Sequence, residues 1–184
     1  MALRIKSRWH DDGAERSLEE IAGALAFIAW RIALDKAITL HGEDFVYESD
    51  RQRIGVISEY LYFEIQLVDR ITHEMLDPEQ RRTLITQLAL RLAGHMQENA
   101  EELLGHGDYG KPFIQGLNER SSEYSELGFN EDGPSYPFLR HLGYEIQGLM
   151  GDRGENRWVI DQVMDRDGPE VANRLRRATL DLFE

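Results

Sequence analysis

Hydrophobic residues recur along most of this chain with the three-to-four-residue period of an α-helix. Leu18, Ile21, Leu25, Ile28 and Ile32 line one face of a first helix. Ala22, Ala26, Ala29 and Ala33 form a small-residue face beside it, where another helix can approach closely. Phe27, Trp30 and Leu34 widen the apolar arc, and a helix apolar on most sides is expected at the centre of its bundle. Ser17, with Glu20 three residues on, supplies a capping box for its start, and the run ends near Leu40, before His41-Gly42-Glu43-Asp44. A second helix follows from about Arg51 to Leu76, with Asp50 as its cap. Its broad apolar stripe comprises Ile54, Ile57, Tyr60, Leu61, Ile65, Leu67, Val68, Ile71 and Met75. Asp77-Pro78 marks a boundary, because Pro suits the first helical position and Asp the cap before it. The third helix, about Pro78 to Leu104, is expected to bury Leu84, Ile85, Leu88, Leu92, Met96 and Leu103. So short a connection between long helices predicts an antiparallel hairpin.

Beyond Gly105 the helical pattern is more broken. Four shorter helices are predicted: from near Pro112, from about Pro137, around Trp158 to Val163, and from Gly168-Pro169. Asn130 to Pro134 is expected as a loop and Gly151 to Gly154 as a turn. No segment alternates as a half-buried strand must. The fold class is therefore all-α: a single irregular bundle of about seven helices in one domain over residues 1–184. Residues 1–16 form a lead-in. The three long helices of 17–104 carry the core, with Ile28, Ile32, Leu61, Val68, Leu88 and Leu92 in it. The shorter helices of 105–184 cap them.

Composition narrows the function classes. Apolar residues make up 41% and charged residues 30%, a globular balance. A net charge of −13 opposes nucleic acid and anionic membranes as partners. Arg4, Lys6 and Arg8 are read as a solvated tail. There is no cysteine, which excludes disulfides, thiolate metal sites and cysteine nucleophiles together. The longest apolar run, Ile21 to Trp30, is too short to span a bilayer, and no apolar stretch follows the N-terminal charges as a secretory signal requires. A cytoplasmic location is expected.

Candidate chemistry rests on polar residues that share apolar faces. Glu64 lies near the middle of the second helix's stripe, where a carboxylate must be paired, protonated or bound. Arg31 or His95 is the expected partner. Asp35 falls on the stripe of Ile21, Ile28 and Ile32, one turn after Arg31. His95 and Asn99 lie beside Leu88 and Leu92, with Glu102 continuing their line. His141 and Glu145 are four apart at the edge of the fifth helix's apolar face. Inward carboxylates and histidines from several helices are how bundles build dinuclear metal centres, but those centres use Glu-x-x-His, and no histidine here has Glu three residues before it. The first expectation for this set is a buried ion-pair network; a metal or an organic ligand is the alternative. Asp69 and His73 are read as solvated, as are Ser121, Ser122 and Ser125 among Glu119, Glu123 and Glu126. Trp9-His10-Asp11-Asp12 reads as an ordered lead-in.

Gly105-His106-Gly107-Asp108-Tyr109-Gly110 spells G-x-G-x-x-G. A helix rather than a strand precedes it, and Asp108 puts negative charge where phosphate would sit, so no nucleotide is expected. No G-x-S-x-G elbow supports nucleophilic catalysis. Three functions follow: a non-catalytic interaction, assembly or regulatory factor first, then a metal-dependent enzyme or metal carrier, then a small-molecule-binding protein. The alanine face is compatible with a homodimer.

Overall fold

The first helix begins where the capping box places it. The Ser17 N–H donates to Glu20 Oε2 at 2.9 Å, and the Glu20 N–H donates to Ser17 Oγ at 3.2 Å. The computed structural model, which describes residues 16–42 and 45–184, continues this helix (α1) over Leu18–Gly42. The lead-in cluster Trp9-His10-Asp11-Asp12, the basic residues Arg4, Lys6 and Arg8, and Glu43 and Asp44 lie outside the described residues. The second helix (α2) spans Asp50–Thr72 and is capped by Ser49 rather than Asp50, with Ser49 Oγ accepting from the Gln52 N–H at 3.1 Å. It stops short of the expected Leu76. The N–H groups of Met75 and Leu76 both turn back to the Thr72 carbonyl at 3.1 Å, which closes the helix. The third (α3) spans Pro78–Leu104. Asp77 Oδ1 accepts from the N–H groups of Glu79 and Gln80, both at 2.9 Å, and Gln80 returns a side-chain acceptor to the Asp77 N–H.

The shorter helices are α4 (Gly110–Ser125), α5 (Tyr136–Met150), α6 (Val159–Gln162) and α7 (Gly168–Phe183). A 3-10 turn, Gly154–Trp158, leads into α6, and a π turn, Val163–Asp167, joins α6 to α7. Between α4 and α5 lies a small antiparallel hairpin, β1 (Phe129–Asn130) with β2 (Gly133–Pro134), where a loop was expected. Two residues per strand are too few to show alternation in sequence. The turn is made by Gly133 at φ 114° and by Asn130 Oδ1, which accepts from the Asp132 N–H at 2.9 Å.

The molecule is an all-α bundle. α1, α2 and α3 pack on one another, as expected, and bury Ile32, Leu61, Val68, Leu88 and Leu92; Ile28 is only partly buried. The second half is more than a cap, because α7 packs against both α1 and α2. Arg16 donates to the carbonyls of Asp181 and Leu182, while Lys36 bonds Glu170, so α7 runs antiparallel to α1 and is tied at both ends. α4 lies across α2 and α3, and α5 against α2.

The central helix is α2 rather than α1. Every residue from Glu59 to Val68 is buried, whereas α1 leaves Phe27 and Ile38 58% and 69% exposed. The alanine face of α1 is buried by other helices of the same chain, so it is not open to a second copy. Among the described residues, no helix is long and apolar enough to cross a membrane.

Candidate functional site

Being buried on all sides, α2 puts polar residues into two separate environments. Glu59 and Glu64 are five positions apart, which at about 100° per residue directs them to different sides of the helix.

Glu64 is fully buried, and neither carboxylate oxygen has a hydrogen-bond partner among the described residues. Burial raises its pKa well above the ordinary carboxylate value, with only the more distant charge of Arg174 opposing. The expected partners are elsewhere. Arg31 is exposed and lies over the Phe27 ring, its guanidinium carbon 5.7 Å from the centroid. His95 is half-buried against Trp30, with ring centroids 5.7 Å apart. Burial therefore favours the protonated, uncharged form of Glu64 over half of an ion pair, because an isolated buried charge is far costlier than a buried carboxylic acid.

The remaining inward set is not brought together either. Asp35 is exposed and pairs with Arg174 of α7 at 2.8 Å. Asn99 donates to the His95 carbonyl at 2.8 Å, a bond within its own helix, and Glu102 is exposed. Asp35, His95 and Asn99 each stand one position before a buried residue, Lys36, Met96 and Ala100, and a rotation that small decides between core and solvent. Asp69, read as solvated, pairs with Arg81 of α3 at 3.1 Å, while His73 is exposed. In the glycine turn, Gln97 Oε1 accepts from the N–H groups of Tyr109 and Gly110 at 2.7 and 3.0 Å.

His141 and Glu145 do enter a site, with partners from α2 and α4. Arg120 of α4 is at its centre. Its Nε and Nη2 grip Glu59 Oε2 and Oε1 at 2.9 and 3.0 Å; Nη2 also meets Glu145 Oε2 at 2.6 Å, and Nη1 meets Glu123 Oε2 at 3.1 Å. His141 Nε2 lies 2.9 Å from the same Glu123 oxygen. Burial raises the Glu59 pKa against the pull of Arg120. Burial also works against the Arg120 charge, but the hydrogen bonds and charge of Glu59, with Glu145 and Glu123, raise its pKa regardless.

Tyr124 borders this network. Its ring stands edge-on to His141, with centroids 4.7 Å apart and planes at 87°. Its hydroxyl is buried and has no hydrogen-bond partner among the described residues. Burial and then the charge of Glu59 raise its pKa, Arg120 opposes, and Glu145 and Glu123 add to the rise. The hydroxyl thus sits in the field of the whole network. Leaving such a group unpaired costs about 1–3 kcal/mol. Arg70 of α2 steadies the end of α4, donating to the carbonyls of Tyr124, Ser125 and Leu127 at 2.9, 3.4 and 3.2 Å.

On the solvent side of His141 opens a groove of about 560 Å³, lined by Leu127, Tyr136, Pro137, Arg140, His141 and Tyr144. Tyr136 and Tyr144 are 68% and 63% exposed. Arg140 is exposed and pairs with no carboxylate among the described residues.

A second buried polar group joins four helices of the bundle, α1, α2, α6 and α7. Asp167, at the end of the π turn, accepts from Tyr60 at 3.0 Å and from Gln162 at 3.3 Å, and lies 3.6 Å from the Lys36 ammonium. Lys36 also bonds Glu170 at 2.7 Å. Burial raises the Asp167 pKa, with Lys36 opposing. Each of these groups has its partner, which makes the set a structural tie.

Sequence reasoning missed Glu59, Arg120, Glu123 and Tyr124. One signal for Glu59 was present. Glu59, Tyr62, Gln66 and Arg70 form a line at helical spacing along α2, and all four reach α4: Gln66 donates to Ser121 at 2.7 Å, and the Tyr62 ring lies 5.0 Å from that of Phe113. A polar line on a helix that is otherwise apolar all round has to meet polar groups of a neighbour. No protein-family model, curated protein or solved structure matches this chain.

Proposed function

We propose that this chain is a non-catalytic protein-interaction factor that receives a segment of a partner protein in the α5 groove. One observation carries the proposal: Tyr136 and Tyr144 stand mostly exposed on either side of Arg140, over an apolar floor of Leu127 and Pro137. Tyrosine and arginine dominate the energetics of protein interfaces, because each offers large contact area together with a polar tip. The groove is open, so a small molecule would leave much of its surface in water, contrary to the deep burial that small ligands require. A second depression, beneath the β-hairpin, holds about 10 Å³, room for no organic substrate. The fitting partner segment presents an aromatic or aliphatic anchor between the tyrosines and a carboxylate to Arg140.

Selection from a displayed-peptide library tests this. Enriched peptides are expected to carry such an anchor beside an acid. Their affinity, read by fluorescence anisotropy, is expected to fall by roughly tenfold or more in Tyr144→Ala, a surface change that leaves the fold intact. Peptides that bind Tyr136→Ala and Tyr144→Ala as tightly as the native chain would end the proposal, as would the absence of any saturable binder.

A further inference from the structure

We propose that Glu123, His141 and Glu145 form a binding site for one divalent cation of the zinc type, between α4 and α5. Their donor atoms all lie within 4.8 Å of one another. One imidazole and two carboxylates make a donor set suited to a borderline divalent ion. His141 and Glu145 share a face of α5 at i,i+4 spacing, and Glu123 approaches from α4.

Charge supports the assignment. Glu59, Glu123 and Glu145 face a single guanidinium, which leaves two negative charges uncompensated when His141 is neutral, the charge of one divalent ion. In the chain alone Arg120 occupies the space among these oxygens. On cation binding it gives up Glu123 and Glu145, while its two-pronged bond to Glu59, at 2.9 and 3.0 Å, holds it aside. The donors must close to about 2.0–2.2 Å from the ion. Glu123, the most exposed of the three, is free to make that adjustment. His141 then carries its proton on Nδ1 and presents Nε2 to the ion.

Tyr124 is the independent observation. It is a buried hydroxyl with no partner, beside His141 and within the field of Glu123 and Glu145. Three protein donors leave a coordination position for water. A water held there gives the Tyr124 hydroxyl the partner it lacks.

Isothermal titration of the chelator-treated full chain with zinc chloride tests the site, and it shares no readout with the peptide selection. One saturable site is expected. His141→Ala and Glu145→Gln should each weaken it by roughly tenfold or more, whereas His73→Ala and His10→Ala should leave it unchanged. Glu145 also bonds Arg120, so circular dichroism checks that each variant folds. The native chain supplies a second readout: the ¹⁵N resonance of His141 Nε2 should move on zinc addition. Absence of saturable binding, unchanged affinity in a folded His141→Ala, or a shift confined to another histidine would overturn the site.

Discussion

Glu64 shows what one residue does to the pH dependence of the whole chain. The folded protein keeps a proton on it that the unfolded chain releases near pH 4.3 or so. Below that value both states are protonated and nothing is lost. As pH rises through the window between the unfolded value and the raised folded one, stability falls by about 1.4 kcal/mol per pH unit for this group, then levels off. Glu64→Gln should remove that slope and cost little at pH 7. Glu64→Met, which fills the same space without an unpaired polar group, should stabilise by about 1–3 kcal/mol at pH 7. Urea denaturation at pH 5 and pH 7.5 measures both. A loss of about 3–5 kcal/mol in the Gln variant is the signature of a broken buried ion pair and would mean that a cation reaches Glu64. The position of Glu64 in the core was legible because the apolar stripe around it is long. Its want of a partner was not, because whether Arg31 points inward depends on the rotation of α1 about its own axis, which nearby apolar residues set only loosely.

Helices were the most legible level of this chain. Start signals written in side chains, at Ser17 and at Asp77-Pro78, operate as their chemistry requires. Less legible was which helix lies at the centre: alanine and large apolar residues surround α1, yet α2, which carries Glu59 and Glu64, is the one buried without a break from Glu59 to Val68. Neighbours covering every side of α2 decide this, and they come from distant parts of the chain. Close approach is also written in glycine. A Cβ on Gly143 of α5 would stand 2.8 Å from Met164 Cγ and 3.0 Å from Ile160 Cγ1, whereas one on Gly148 of the same helix would meet nothing within 4 Å. Gly143→Ala should therefore destabilise by about 1–3 kcal/mol through overpacking. Gly148→Ala should stabilise by up to about 1 kcal/mol through helix propensity. Urea midpoints of the two variants separate packing from propensity, and midpoints shifted in the same direction would refute the close approach.

At the scale of the whole molecule, a charge of −13 sets like charges against one another over the surface. Raising salt from about 10 mM to about 150 mM shortens the screening distance from about 30 Å to about 8 Å. Exposed pairs such as Arg174 with Asp35 and Arg91 with Glu19 lose less from this than the repulsion does, since such pairs contribute about 0–1 kcal/mol each. The melting temperature at pH 7.5 should rise with salt, and a fall would show that the ion pairs outweigh the repulsion. It should also rise as pH is lowered from 7.5 toward 5.5, because burial holds the Glu64 pKa well above the ordinary carboxylate value and so favours the folded state as protons are added; Glu59 and Asp167 are shifted in the same direction. The role of α7 belongs to this scale too. Its apolar residues mark it as a helix, but nothing local says that it returns to lie between α1 and α2.

Arg70 binds three carbonyls at the end of α4 from a position on the most enclosed helix of the molecule. That junction makes the opening of one helix conditional on the opening of another. Amides of residues 124–128 should exchange with deuterium about as slowly as those of the α2 interior, although α4 lies at the periphery. In Arg70→Ala they should exchange roughly tenfold faster or more, with amides of residues 60–67 little changed. The last turn of α4 would then breathe on its own, and Glu123 and Tyr124 would meet His141 in only a fraction of the molecules at any instant.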